Sequence, residues 1–103
     1  MVLKRSGQRQ PFDRAKVADG IRSACKGRPV SEEMVDELAE AVEDDVRLEA
    51  AAGNDITSSV VGHAVLERLK GVDEVAYMRF ASVYKNFDDA ADFRRELALL
   101  KKS

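Results

Sequence analysis

The chain has 103 residues and a mass of 11.4 kDa, the size of one domain with a single hydrophobic core. Hydrophobic residues make up 45% and charged residues 35%, with only six glycines and two prolines, which excludes disordered, collagen-like and proline-rich classes. No apolar run reaches the roughly 18 residues of a membrane span, and the first ten residues lack the apolar segment of a signal peptide. We therefore expect one domain, over residues 1–103, in a cytoplasmic protein with no membrane contact.

The net charge of −2 hides a strong division along the chain. Residues 1–29 carry eight cations against two carboxylates, whereas residues 31–55 carry ten carboxylates and one arginine. An acidic segment of this kind opposes contact with duplex DNA, so a small, highly charged anion is a better partner for the basic segment. The alternative is that the two segments neutralise each other across the fold.

A short β-hairpin is predicted at the N-terminus. Residues 2–5 and 8–12 have extended character and flank Ser6 and Gly7, which suit a tight turn. Pro11 disfavours helix at Gln10 and so supports an extended second arm.

Five helices are predicted to follow, because capping residues repeatedly precede segments with apolar residues at helical spacing. Carboxylates at Glu32 and Glu33 favour the start of the second helix, where they complement the helix dipole. The predicted caps are Asp13, Ser31, Thr57 or Ser58, Asp73, and Asp88 or Asp89, and the first three helices are predicted to end at Gly27, about Ala51 and Gly71.

Each predicted helix has one apolar stripe, and together the stripes form the predicted core. The predicted hairpin and helices together indicate an α+β domain, in which a small β-hairpin forms a lid over a short helical bundle. The side chains predicted to face inward are Val17, Ile21, Ala24 and Cys25, then Met34, Val35, Leu38, Ala39, Val42 and Val46, then Val61, Ala64, Val65 and Leu69, then Ala76, Phe80, Val83, Tyr84 and Phe87, and finally Phe93, Leu97 and Leu100.

The sequence contains no catalytic constellation, and we expect no enzyme activity. Cys25 lies on a predicted inner stripe, where burial keeps a thiol protonated, and His63 has no paired acid or metal-ligand spacing. A single cysteine excludes both an internal disulfide and a cysteine-built zinc site in this chain. Walker-type and dinucleotide-binding glycine motifs are absent from the sequence.

Positive charge converges where the hairpin meets the first helix. Lys16 lies three positions after the Asp13 cap, in a helical turn whose free N–H groups and dipole favour an anion. Lys4 and Arg5 are adjacent, so alternation along a strand turns one of them toward such a site. These residues predict a phosphate-binding corner.

Three segments resemble a known family. Residues 2–7 (VLKRSG) and 11–17 (PFDRAKV) resemble the opening of an ATP-cone, the regulatory nucleotide-binding domain of ribonucleotide reductases. Residues 73–87 (DEVAYMRFASVYKNF) are more specific and resemble the ATP-cone of the NrdR family of transcriptional repressors, and residues 27–31 (GRPVS) agree with it. The resemblance covers nearly the whole chain and is weakest over residues 31–55.

The resemblance implies that ATP and deoxy-ATP bind as regulatory ligands; whether Mg²⁺ accompanies the phosphates is left open. Gln10 stands where the family often has Glu, which leaves the preference for base or sugar open. For Tyr84, core packing is an equal alternative. Carried over by position, the implied site consists of Lys4, Arg5 and Lys16 at the phosphates, Val2, Gln10 and Asp13 near adenine or ribose, and Tyr84 and Lys85 closing the site.

The resemblance also implies a function for the whole repressor. Adenine nucleotides select its homo-oligomeric state through the cones, with the first and last helices as candidate subunit contacts. DNA is contacted by a zinc ribbon, which we expect to be absent from this chain. Two alternatives stay open: an allosteric cone of a reductase or a stand-alone cone, and a helical interaction module whose acidic second helix binds a basic partner.

Overall fold

The computed structural model describes residues 2–3 and 9–102, and only the backbone of residues 3, 9 and 10. Helices dominate this part of the chain. In chain order the elements are β1 (Val2–Leu3), β2 (Arg9–Gln10), α1 (Arg14–Ala24), α2 (Glu32–Ala51), α3 (Ser58–Lys70), α4 (Glu74–Tyr84) and α5 (Ala90–Lys101).

The fold is helical, and the predicted α+β class with a hairpin lid over the bundle is wrong. The extended structure described is one antiparallel pair, in which Val2 lies opposite Gln10 and Leu3 opposite Arg9. Two residues on each side cannot form a layer, since a stable sheet needs more strands or a broad apolar face. β2 stops at Gln10 because Pro11 has no N–H to donate. The predicted turn at Ser6 and Gly7 lies outside the described residues.

The predicted helix starts are confirmed. At each start a side-chain oxygen accepts hydrogen bonds from backbone N–H groups of the first turn, which would otherwise lack partners. Where the sequence left two caps open, the structure selects the first for α3 and the second for α5. The caps are Asp13, Ser31, Thr57, Asp73 and Asp89.

The helices α1 to α4 enclose one core, and α5 packs on α4. α1 lies between α2 and α4, and α3 packs against both α2 and α4. The largest fully buried side chains come from three of these helices: Ile21, Val35, Val42, Val65 and Leu69. Among the helices of the described chain, none is long and apolar enough to cross a membrane.

Four side chains predicted to face inward are instead exposed. Compared with the prediction, α5 is rotated about its axis: Glu96 and Leu100 face the core, and Phe93 and Leu97 are partly in solvent. In α4 the inner face consists of small or aromatic residues, and Val83 is 82% exposed. Met34, in the first turn of α2, is also exposed, because the buried stripe of that helix begins at Val35.

The junction of α4 and α5 is a tight Schellman closure. Asn86 adopts the left-handed conformation, with φ 54°, and donates its N–H to the carbonyl of Val83 at 3.2 Å. Phe87 donates to the carbonyl of Ser82 at 3.0 Å, which completes the motif. The Phe87 ring then meets Phe93 edge-on, with centroids 4.9 Å apart.

Ion pairs link the basic segment to the acidic one. Arg22 on α1 donates to Glu32 on α2 at 2.8 Å, and Arg14 lies 3.6 Å from Glu43. The mutual neutralisation that the sequence left open is therefore confirmed for these two arginines. The Arg22–Glu32 pair is solvent-exposed and contributes about 1 kcal/mol or less to stability.

Candidate functional site

The first turn of α1 and the last turn of α4 lie at the same end of the bundle. The two helices run antiparallel: Arg28 pairs with Asp73 beyond the end of α1, and Gly20 faces Phe80 near the middle. One helical turn further in each direction leads from Gly20 to Lys16 and from Phe80 to Tyr84. The antiparallel packing thus places Asp13 and Lys16, at the start of α1, and Tyr84 and Lys85, at the end of α4, at the same end of the bundle.

Among the residues that the structure describes at this end, Lys16 is a cation without an ion pair. Its side chain is exposed, and it forms no ion pair with any residue that the structure describes, whereas Arg14 and Arg22 on the same helix are both paired. An unpaired ammonium can bind an anion without first losing a partner. This makes Lys16 the cation of α1 best suited to a phosphate.

The backbone at the start of α1 is less available than the sequence predicts. The carboxylate of Asp13 accepts hydrogen bonds from the N–H groups of Ala15, at 3.0 Å, and Lys16, at 3.4 Å. These donors are the ones that would otherwise serve an anion at a helix N-terminus. Contact with an anion here therefore relies on side chains, with Lys16 first among those described.

Tyr84 packs into the bundle. Its hydroxyl donates to the carbonyl of Ser59 at 2.9 Å, and its ring stacks on Phe80 with centroids 6.0 Å apart. The ring also lies against Gly62 on α3, where the absence of a side chain makes room for it. The packing alternative for Tyr84 is confirmed, and its contact with a ligand stays a prediction.

Lys85 is held by a carboxylate that sequence reasoning missed. Its Nζ donates to Glu96 Oε1 at 2.7 Å, and the other oxygen of Glu96 accepts from the Tyr77 hydroxyl at 2.7 Å. Glu96 is only 3% exposed, the one charged residue that is buried as a whole among those described. Burial raises the pKa of Glu96, but the hydrogen bonds from Lys85 and Tyr77 outweigh it and hold that pKa below its ordinary value. The only sequence signal was a Glu between apolar positions of α5.

The remaining predicted site residues lie at the N-terminus. Val2 is half-buried and packs against the core. Lys4 and Arg5 lie outside the described residues, as does the side chain of Gln10, so their roles stay predictions.

A cleft of about 1000 Å³ opens between α1 and α2 beside Lys16. The charged side chains that line it are mixed: the cations are Arg14, Lys16 and Arg22, and the carboxylates are Asp13, Asp19, Asp36 and Glu40. Arg14 is paired with Glu43, and Arg22 with Asp19 and Glu32. Lys16 is therefore the cation of this lining that forms no ion pair with a described residue.

The two residues considered for catalysis are placed as the sequence predicts. Cys25 is buried, and burial raises the pKa of its thiol. His63 is exposed and lies 3.8 Å from Glu67 on its own helix. Within residues 2–3 and 9–102, no three histidine, cysteine or acidic side chains are grouped to hold a metal ion.

The family described as "ATP cone domain" matches residues 1–90. The chain belongs to the ATP-cone family. Proteins named transcriptional repressor NrdR are similar to it: that of Nocardioides sp. is 52% identical over 97% of this chain, and that of Acidothermus cellulolyticus is 53% identical over 95%. The repressor of Rhodococcus erythropolis is 50% identical over 98% of the chain. The expected resemblance to the ATP-cone of NrdR repressors is confirmed.

The chain spans a little more than half the length of these relatives: 57%, 56% and 60%, respectively. Their names are those of transcriptional repressors and not of enzymes, which agrees with the noncatalytic interpretation. The similarity extends over nearly the whole chain, so it includes both α1 and α4, the two helices that meet at the candidate site.

Proposed function

We propose that this domain binds ATP and deoxy-ATP at the shared end of α1 and α4, and that it acts as the nucleotide-sensing part of a transcriptional repressor of ribonucleotide reductase genes. The family match over residues 1–90 carries the proposal. Lys16 supports it, because it forms no ion pair with a described carboxylate and can therefore bind a polyphosphate without first losing a partner.

The phosphates contact Lys16 and Lys85 in this proposal, together with Lys4 and Arg5 from the N-terminal segment. Val2, Gln10 and Asp13 lie toward the adenine or ribose, and the Tyr84 ring forms the wall behind them. Charge-assisted hydrogen bonds of this kind contribute roughly 1.5 to 3 kcal/mol each before the loss of ligand motion is deducted. We expect dissociation constants in the micromolar range, which correspond to a binding free energy of about −8 kcal/mol.

Calorimetric titration with ATP and deoxy-ATP tests the site. We expect comparable affinities for the two nucleotides, and loss of both in a variant with Lys4→Ala and Lys16→Ala. The matched control is Lys26→Ala with Lys70→Ala, which removes the same charge where α1 and α3 end, away from the candidate site. Unchanged affinity in the first variant would refute the site, and titrations with and without Mg²⁺ decide whether the ion binds with the phosphates.

The regulatory part of the proposal concerns assembly. Nucleotide binding sets the homo-oligomeric state of the repressor, and only some assemblies present its DNA-binding zinc ribbons to an operator. A ligand shifts such an equilibrium only by its different affinity for the assemblies. Light scattering of the chain alone, with ATP and with deoxy-ATP should therefore give different masses. Identical masses in all three would contradict this part.

A different class of function has its own outcome in these experiments. If equilibrium dialysis detects no adenine nucleotide at millimolar concentrations, a protein-interaction module becomes the better interpretation. Its contact surface would be the exposed carboxylates of α2, with the charges of the predicted hairpin serving only solubility.

A further inference from the structure

The ammonium of Lys85 is engaged by a carboxylate of its own chain. It lies 2.7 Å from a carboxylate that is almost entirely buried, while the Lys85 side chain itself is 38% exposed. Lys85 therefore sits between solvent on one side and Glu96 on the other. A phosphate arriving from solvent and the carboxylate of Glu96 both require this one cation.

Glu96 depends on Lys85 more than Lys85 depends on Glu96. A lysine at the surface remains well solvated without its partner, but a buried carboxylate that loses its cation is left with the Tyr77 hydroxyl alone among the described donors. Any ligand that takes Lys85 must therefore work against the desolvated charge of Glu96.

From this geometry we infer that Glu96 is a positioning residue that competes with nucleotide phosphate for Lys85, and so lowers the affinity of the domain for triphosphates. The inference rests on the proposed function, because it concerns the same site. It adds a residue of α5, a helix that contributes nothing else to the predicted site.

The competition also couples the nucleotide to the position of α5. Glu96, Leu100 and the Phe87–Phe93 contact hold α5 on α4. When phosphate draws Lys85 away, one of these attachments is weakened, and by linkage anything that separates Lys85 from Glu96 strengthens nucleotide binding by the same factor. A signal at the phosphates thus reaches the last helix through a single side chain.

Two substitutions at this cluster move the affinity in opposite directions. Glu96→Gln keeps a hydrogen-bond acceptor for Tyr77 but removes the charge that holds Lys85, so ATP should bind about three- to tenfold more tightly. Tyr77→Phe removes the second donor and leaves Glu96 reliant on Lys85 alone, so ATP should bind more weakly. Simple destabilisation of α5 would shift both variants in the same direction.

The experiment is calorimetric titration of ATP into the wild-type chain and these variants, with thermal melting to confirm folding. Glu37→Gln, which removes an exposed carboxylate from α2, is the matched control for charge and should change the affinity little. In a Lys85→Met background, Glu96→Gln should have no further effect, because the residue competed for is gone.

The outcomes separate the two proposals. If the wild-type chain binds no ATP, the proposed function fails, and the competition fails with it. If the wild-type chain binds ATP but Glu96→Gln binds no more tightly, or if the effect persists without Lys85, the competition is refuted while the proposed function stands. Hydrogen exchange gives a second readout: ATP should accelerate exchange in residues 90–101 of the wild-type chain and much less in Glu96→Gln.

Discussion

The ring of Tyr84 lies directly against the backbone of Gly62, so closely that a Cβ at position 62 would overlap three of its ring carbons. The Tyr84 hydroxyl bonds to the carbonyl of Ser59 one turn earlier on the same helix. Glycine in the middle of α3 is therefore required by packing and not by backbone conformation.

We predict that Gly62→Ala destabilises the fold. Overpacking costs typically about 1 to 3 kcal/mol, which exceeds the roughly 1 kcal/mol that alanine gains over glycine in a helix. The matched control is Gly20→Ala in α1, where a Cβ would lie 3.6 Å from Phe80 in ordinary contact, so that variant should gain about 0.5 to 1 kcal/mol. Urea denaturation measures both, and a stabilised Gly62→Ala would show that Tyr84 does not occupy this position.

A second prediction concerns stability in acid. The pKa of Glu96 lies below its unfolded value of about 4.3, because its hydrogen bonds outweigh burial. The unfolded chain then binds a proton more readily than the folded one, so Glu96 stabilises the fold above about pH 4.3, and this contribution disappears as the pH falls through the folded pKa. Glu96→Gln should therefore flatten the decline in the free energy of unfolding between about pH 5 and pH 3.

Other carboxylates also lower the free energy of unfolding as the pH falls, so part of the decline remains in the Glu96→Gln variant. Backbone hydrogen bonds lower the pKa of Asp73, from Ala76, and of Asp92, from Asp88. Glu37→Gln, a change at an exposed carboxylate, should leave the slope as in the wild type. A slope that is equally steep with and without Glu96 would contradict the charged, hydrogen-bonded state of this residue.

A third prediction concerns the role of Asp13 as the N-terminal cap of α1. Asp13→Ala removes the cap of α1 and should lower stability by about 1 kcal/mol, whereas Asp13→Asn keeps an acceptor for the same N–H groups and should stay within a few tenths. Thermal melting monitored by circular dichroism measures the difference, about 4 to 8 °C per kcal/mol for a domain of this size. Equal loss in both variants would show that the charge and not the cap matters.

The fourth prediction concerns Cys25. The residue is 4% exposed, and burial raises the pKa of its thiol, so little reactive thiolate is present at neutral pH. We expect reaction with a thiol-specific reagent to be at least about tenfold slower in the folded chain than in urea. Equal rates in both conditions would place Cys25 at the surface.

Local chemistry explains what the sequence predicts well. A cap and its helix are neighbours in the chain, so Asp13, Ser31 and Asp73 predict where three helices begin without knowledge of the fold. The α2 stripe from Val35 to Val46 is equally evident, because that helix buries one continuous face.

Non-local contacts explain the errors. The partners of Glu96 lie 11 and 19 residues away, so no window of sequence predicts that a carboxylate replaces Phe93 and Leu97 on the inner face of α5. The hairpin was overestimated for a similar reason, since extended propensity does not reveal whether a strand finds enough partners to form a layer. For the site, the resemblance names residues on α1 and α4, and the antiparallel packing of these helices places them at one end of the bundle.

The left-handed turn at Asn86 forms a hydrogen-bonded bend between α4 and α5. Because its two backbone hydrogen bonds fix the direction in which the chain leaves α4, α5 is anchored at one end independently of its side chains. If α5 moves when Lys85 changes partner, the displacement should therefore be smallest near Ala90, beside this turn, and largest near Lys101.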